Sequence, residues 1–266
     1  MVDALWKLGL VEAVEKLKSG EISPLDLVEA SAGRIEAVDD ALNAMPTRCI
    51  DRARDHARRI MSGAAPGGLL GGVPVGIKDI IDVKGIPTGN GLMPGGAAKP
   101  QRDAFVVERL KAAGAIIMGK TVTTELAFMH PSKTRNPRNL EHTPGGSSAG
   151  SAAAVADGMV PLAIGTQTGG SVIRPASFCG VTGFKPTFGA IPRRGVLAQS
   201  PSLDTLGVFA TDPIGAAILA EVLYGHDAED AETALAPHPR LYETAGSALG
   251  YGGVHRRSAV PSVPDG

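Results

Sequence analysis

The sequence predicts an α/β fold built on a mixed β-sheet, and three observations support this prediction. Short apolar runs alternate along the chain with segments of helical periodicity, which is the pattern of strands separated by helices. Apolar residues make up 43 % of the 266 residues, and 26 basic against 27 acidic residues leave a net charge of -1, so little self-repulsion opposes collapse. The 35 glycines cluster, with 11 in residues 63–96 and 11 in residues 145–195, where sharp turns or close backbone approaches are expected.

The helices are predicted from caps and apolar spacing. Ser23 and Pro24 mark a helix start, since serine caps helices and proline suits the first helical position, and apolar residues follow at helical spacing. Gly114 fits the C-terminal cap of a later helix. The predicted helical segments are 9–62, with a separate helix over 50–62, then 104–113, 148–157 and 212–224.

The strands are predicted from short apolar runs bounded by turn residues. Residues 130–146 and 165–171 lack such runs and are predicted loops. The predicted strands are residues 73–77, 115–118, 160–164 and 181–184. Residues 237–266 are rich in glycine, proline and serine without periodicity, so a folded domain is predicted over residues 1–236 and a disordered tail over 237–266.

Several function classes are excluded by composition. The neutral charge argues against a nucleic-acid partner, which would need a basic face. Cys49 and Cys179 are the only cysteines, which is too few for a disulfide framework or a cysteine metal set. No run of about 18 apolar residues is present, so no membrane span is predicted and a soluble cytoplasmic protein is expected.

Two motifs match catalytic patterns in spelling only. Residues 114–121 fit the phosphate-loop pattern G-x4-G-K-[ST], but a predicted helix precedes them and their centre is apolar, which favours a core strand. Residues 146–150 fit the nucleophile-elbow pattern G-x-S-x-G, but a polar segment leads into them where that motif needs an apolar strand.

Three other segments carry residues suited to catalysis. Residues 72–79 place Lys78 at the end of an apolar strand, residues 144–151 place serines in a glycine-rich helix start, and residues 165–177 place Ser171 after two glycines. Each segment alone also has an ordinary interpretation: a solvated strand end, a capped helix and a flexible turn. A serine after two glycines nevertheless suits an exposed nucleophile beside backbone N–H donors.

Taken together, the three segments resemble the amidase signature family, and the resemblance covers residues 1–235. It implies a mixed sheet flanked by helices on both faces and a Ser–Ser–Lys triad. The family pattern assigns Lys78 as the base, Ser147 as the bridging serine and Ser171 as the nucleophile. The family separates its two serines by 24 positions, and 171 − 147 = 24, which favours Ser147 over Ser148.

The chemistry of this triad is consistent. A serine hydroxyl needs a base to become a nucleophile, and a lysine can serve when desolvation keeps it neutral. The resemblance implies that backbone N–H groups at the nucleophile stabilise the oxyanion. The implied donors belong to Thr168, Gly169, Gly170 and Ser171. Met129 is a weaker candidate for contact with substrate.

The sequence also departs from the family. Gln167 stands where many members have Asp, and Arg174 comes one residue later than the family arginine. Members are usually much longer, so the C-terminal part of the usual fold is expected to be missing. The predicted function is hydrolysis of amide bonds, with esters and carbamates as further substrates. The alternatives are an inactive truncated remnant and a glutamine-dependent transamidation subunit.

The predicted partner is a small-molecule amide substrate. Neither a nucleic acid nor a membrane is expected to bind, and no metal or cofactor is expected. The sequence leaves a homodimer open.

Overall fold

A mixed β-sheet of six strands forms the centre of the computed structural model, which describes residues 2–92, 99–233 and 240–241. The strands are β1 (Thr47–Arg48), β2 (Pro74–Lys78), β3 (Ile116–Thr121), β4 (Leu162–Gln167), β5 (Thr182–Phe184) and β6 (Thr205–Ala210). They lie in the order β1-β3-β2-β4-β6-β5. β2 is parallel to β3 and β4, whereas the other neighbouring pairs are antiparallel.

Seven α-helices surround this sheet in the described part of the chain. They are α1 (Leu10–Ser19), α2 (Pro24–Leu42), α3 (Ile50–Met61), α4 (Phe105–Ala112), α5 (Ala149–Ala156), α6 (Ile173–Cys179) and α7 (Pro213–Leu223). The predicted start of α2 is confirmed, because the Ser23 side chain accepts from the backbone N–H of Asp26 and the Asp26 carboxylate accepts from that of Ser23.

The core divides into two layers because successive strand residues point to opposite faces. Ile117 packs in one layer, together with buried residues of α1, α4 and α7. Ile116 and Met118 pack in the other, together with buried residues of α2, α3, α5 and α6. The predicted mixed sheet with helices on both faces is therefore confirmed.

The structure corrects several predicted boundaries. β4 continues through Gln167, so residues 165–167, predicted as loop, are strand paired with β6. β1, β6 and α6 were not predicted. Most of α6 lies in the segment interpreted as a turn, and its seven residues are too few to show a helical periodicity.

The phosphate-loop spelling over residues 114–121 is a helix end followed by a core strand, as predicted. Gly114 has φ +82°, in the left-handed region that suits a helix C-terminus, and every residue of β3 is buried. Lys120 is buried within that strand, where it forms an ion pair with Asp79 at 2.9 Å.

Some predictions fall beyond the described residues. Of the predicted tail over 237–266, only residues 240–241 are described. Among the described residues no helix combines the length and the apolar character that crossing a membrane requires. The same residues contain no group of three or more His, Cys, Asp or Glu side chains arranged to hold a metal ion.

The buried carboxylate of Asp39, near the end of α2, makes contacts whose contribution to stability can be measured. It accepts from the backbone N–H groups of Ala44 at 2.6 Å and Met45 at 3.2 Å, and from Arg48 at 3.1 Å. Asp39→Ala leaves these buried N–H groups without an acceptor, so we expect the free energy of unfolding to fall by about 3 kcal/mol. Urea denaturation measures this. Asp40→Ala is the matched control, since that side chain is 94 % exposed, and equal effects of the two changes would contradict the assignment.

Candidate active site

Lys78 is the last residue of β2, at the centre of the sheet, and its side chain is fully buried. Its Nζ donates to Ser147 Oγ and to Thr166 Oγ1, both at 2.8 Å. In the part of the chain that the structure describes, it forms no ion pair with a carboxylate. Burial therefore lowers the pKa of Lys78 well below its ordinary value of 10.5, and the negative charge of Asp204 opposes this only in part.

Ser147 lies in the turn that leads into α5. The peptide bond between Gly146 and Ser147 is cis, and the Ser147 carbonyl accepts from the backbone N–H of Thr124 at 3.1 Å. The guanidinium of Arg174, on α6, donates to the Gly146 carbonyl through Nε at 3.1 Å and Nη2 at 2.8 Å. These contacts fix the backbone on both sides of the serine whose hydroxyl meets Lys78.

Ser148, the alternative bridging residue, has a different environment. Its hydroxyl donates to the Thr166 carbonyl at 3.2 Å and accepts from the Thr166 N–H at 3.3 Å. A Cβ at Gly165 would lie 2.6 Å from Ser148 Oγ, so only glycine leaves room for this approach to β4. Ser148 therefore joins α5 to the sheet, while Ser147 contacts the lysine.

Ser171 precedes α6 and is buried. Its carbonyl accepts from the backbone N–H of Ser148 at 3.3 Å, which brings it beside the Ser147 segment. No hydrogen bond joins the hydroxyls of Ser147 and Ser171 in the described structure. Lys78 and Ser147 are thus in direct contact, and Ser171 is attached to the same segment through the backbone.

The loop between β4 and α6 is held from two sides. Gln167 Oε1 accepts from the N–H groups of Val172 at 2.8 Å and Ile173 at 3.0 Å, which closes the loop around residues 168–171. Thr168 Oγ1 lies within hydrogen-bond distance of the Asp204 carboxylate and of Gln199 Oε1, and its single proton can be donated to either oxygen. Gln167, which departs from the family pattern, is therefore the side chain that joins the two ends of the loop.

Three backbone donors of this loop are unpaired among the described residues. The N–H groups of Gly169, Gly170 and Ser171 find no acceptor among the described residues. Such unpaired, closely spaced N–H groups are suited to stabilising developing negative charge. The Thr168 side chain anchors the start of the same loop to Asp204, whose second oxygen accepts from the N–H of Gln199 at 2.7 Å.

A cavity of about 220 Å³ lies beside the loop, and Thr166, Thr168 and Asp204 contribute to its wall. Neither Ser171 nor Met129 lines this cavity. The Met129 side chain is 79 % exposed, so the structure places it on the surface rather than in a core.

Only some of the residues that make these contacts could be identified from the sequence. Thr166 and Gln167 are polar residues at the end of an apolar strand, and that position was the available signal of their importance. Arg174 lay inside a recognised segment, but its contact with Gly146 spans 28 positions. Asp204 could not be identified from the sequence. The fold brings it to the site because β6, the strand that follows it, pairs with β4.

Comparisons with known proteins identify the family of the chain. A family model described as Amidase matches residues 26–250. The chain is 44 % identical over 242 residues to a glutamyl-tRNA(Gln) amidotransferase subunit of Anaeromyxobacter dehalogenans, covering 88 % of this chain and 49 % of that protein. The chain therefore spans about half the length of the curated relatives it matches.

Solved structures give the same result. A chain from a vestigial protein complex, described as revealing the evolutionary origins of an s-triazine catabolic enzyme, superimposes with a TM-score of 0.85 at 34 % identity, over 90 % of this chain and 55 % of that one. Peptide amidase from Stenotrophomonas maltophilia superimposes with a TM-score of 0.78 at 32 % identity, over 88 % and 51 % respectively. Since the family model matches residues 26–250, which are far more than half of the chain, the chain belongs to the amidase signature family.

Proposed function

We propose that this chain hydrolyses carbon–nitrogen amide bonds, with Ser171 as nucleophile, Ser147 as bridge and Lys78 as base. The observation that carries the proposal is the contact of the buried Lys78 Nζ with Ser147 Oγ at 2.8 Å, without a carboxylate partner among the described residues. A lysine in this environment holds a neutral amine far more readily than one in water. It can then remove a proton from a hydroxyl.

The reaction runs through a proton relay. Lys78 takes the proton of Ser147, Ser147 takes that of Ser171, and Ser171 Oγ forms a bond to the carbonyl carbon of the amide. As the tetrahedral intermediate collapses, the carbon–nitrogen bond breaks and the relay returns a proton to the leaving nitrogen. Water then attacks the acyl-enzyme, with the same relay accepting and returning its proton, and releases the acid.

The oxyanion is stabilised by the loop over residues 168–171 in this scheme. The N–H groups of Gly169, Gly170 and Ser171, which have no acceptor among the described residues, support this role, and the resemblance adds the backbone of Thr168. One such donor typically lowers the barrier by about 3 kcal/mol. The scheme assigns no step to a metal or a cofactor.

The substrate class follows from the relatives in outline only. The similarity to a peptide amidase supports a small linear amide as the substrate. The acyl-enzyme chemistry also suits esters and carbamates. We place the reaction in the cytoplasm.

A glutamine-dependent transamidation subunit is the second candidate, and the name of the curated relatives favours it. A chain with this function would release ammonia from glutamine and need partner chains. Ammonia release from glutamine that appears only with such partners, with no turnover of small amides by the chain alone, would favour this candidate.

Removing the nucleophile tests the catalytic assignment. We expect Ser171→Ala to abolish amide hydrolysis and labelling by a fluorophosphonate, because this probe forms its bond with an activated serine oxygen. Mass spectrometry of the labelled peptide identifies the site. Ser177→Ala on the exposed side of α6 is the control and should label like the original chain.

Two outcomes would contradict that assignment. Labelling of Ser171→Ala at the original stoichiometry would remove Ser171 from the mechanism. Failure of the original chain to label, despite cooperative unfolding, would support the inactive remnant instead.

The base is tested by the pH dependence of labelling. The rate of labelling should rise with pH through the lowered pKa of Lys78, because only the neutral amine accepts a proton. Lys78→Met should be at least about a hundredfold slower and should lack this rise. A normal pH profile in the variant would exclude Lys78 as the base.

The same lysine should make stability depend on pH. The unfolded chain keeps Lys78 protonated up to about pH 10.5, whereas the folded chain releases the proton at a lower pH. The unfolded state therefore binds more protons in this window, and stability rises with pH by up to about 1.4 kcal/mol per unit. Lys78→Met should lose that rise in urea denaturation between pH 7 and 10. Parallel curves for the two proteins would contradict a lowered pKa.

A further inference from the structure

A second concave site lies along α3, and it shares no lining residue with the cavity beside Thr168. Its volume is about 360 Å³, within the usual range of small-molecule pockets. Arg52, His56 and Arg59 form one wall from α3, and Lys111 of α4 contributes from another side. Catalysis as proposed above uses none of these side chains.

The three residues from α3 lie on one face of that helix. Positions 52, 56 and 59 are separated by four and then three residues, which places their side chains in a row. Arg52 and Arg59 form no ion pair with a carboxylate of the described chain. Each donates only to a backbone carbonyl, that of Lys84 at 3.3 Å and that of Ala64 at 3.5 Å respectively.

The arginines elsewhere on α3 are paired. Arg54 donates to Glu29 at 2.8 Å, and Arg58 donates to Asp55 at 3.0 Å. The arginines of α3 outside the row of residues 52, 56 and 59 are thus paired with carboxylates, whereas the two arginines within the row are not paired with a carboxylate of the described chain.

The remaining ionisable groups of the cleft do not cancel this charge. Asp55 is held by Arg58, and Lys111 is paired with Asp103 at 2.7 Å. The Cys49 thiol stays protonated, since burial raises its pKa. The pKa of His56 is lowered mainly by burial, and the nearby charges of Arg59 and Lys111 lower it further.

The floor of the cleft is apolar. Val83, Ile86 and Ile117 contribute to it. A guanidinium pair suits a phosphate group, which it binds through charge-assisted hydrogen bonds, while an apolar floor suits a hydrocarbon body attached to that group. We infer that this cleft binds a small organic phosphate, with the phosphate between Arg52 and Arg59 and the apolar substituent on the floor.

Phenyl phosphate is the probe for this inference, titrated into the full chain and followed by calorimetry and by NMR of the histidine imidazoles. Binding should saturate at one equivalent and be tighter than that of inorganic phosphate, because the ring covers the apolar floor. The pKa of His56 should rise when the dianion is bound. Raising the salt concentration should weaken binding.

Matched variants of α3 locate the site. Arg52→Gln and Arg59→Gln should each weaken binding about tenfold, through the loss of a charge-assisted hydrogen bond. Arg54→Gln removes the same charge from another face of the helix and should leave the affinity unchanged. Fluorophosphonate labelling of Ser171 is expected to be the same in all three variants, which separates this inference from the proposed catalytic function.

Three results would overturn the inference. Equal weakening by Arg54→Gln and Arg52→Gln would mean general attraction to a positive surface. Equal affinity for phenyl phosphate and inorganic phosphate would remove the apolar contact. Unchanged titration of His56 at saturating phenyl phosphate would place the bound dianion elsewhere.

Discussion

The burial of the Lys78 amine is the constraint on which the candidate site depends. A charged ammonium in that position would need a carboxylate partner, and the structure supplies hydroxyls instead, from Ser147 and Thr166. Lys120 on the neighbouring strand shows the other solution, since its Nζ lies 2.9 Å from an oxygen of Asp79. Burial lowers the pKa of both lysines, but only at Lys120 does a carboxylate in contact oppose the shift. Of the two, Lys78 is therefore the one that we propose as the base.

The contacts around the loop of residues 168–171 follow from the same requirement. A relay needs its serines held in place, and the side chains that do so come from distant parts of the chain. Gln167 joins the end of β4 to the start of α6, and Arg174 joins α6 to the peptide before Ser147. Gln167 replaces the Asp of many family members, and it still supplies an oxygen that accepts two backbone N–H groups. Both departures from the family pattern thus have a positioning role here.

How far the sequence could predict this structure depends on the type of signal each segment carries. Apolar runs predicted the buried centres of β2, β3 and β4, since a strand buried on both faces must be apolar. Residues 165–167 were missed as strand because Gly, Thr and Gln together form no apolar run. They form a strand despite this composition because they pair with β6. α6 was missed for a related reason: two backbone amides at its start are satisfied by Gln167, a contact that local periodicity does not report. In the site, Lys78, Ser147 and Ser171 could be selected because their three segments together resemble the family pattern, although each segment alone also has an ordinary interpretation. Thr166 had only its position at the end of an apolar strand as a signal, and Asp204 had none, because its importance arises from a contact made after folding. Met129 stays a prediction as a substrate contact, since its side chain is exposed and lies outside the lining of the cavity beside the loop.

The side chains around the Lys78 amine and the exposed apolar side chains differ in solvent exposure. Phe128, Met129 and Phe178 are each about half exposed or more. By contrast, Ser147 and Thr166, which contact the Lys78 amine, are buried, and Asp204, whose negative charge acts on its pKa, is half-buried. Since the Lys78 amine is fully buried among the described residues, its desolvation does not depend on the exposed apolar side chains. We therefore expect a small serine reagent to test the proposed relay alone, whereas amide turnover also depends on substrate binding.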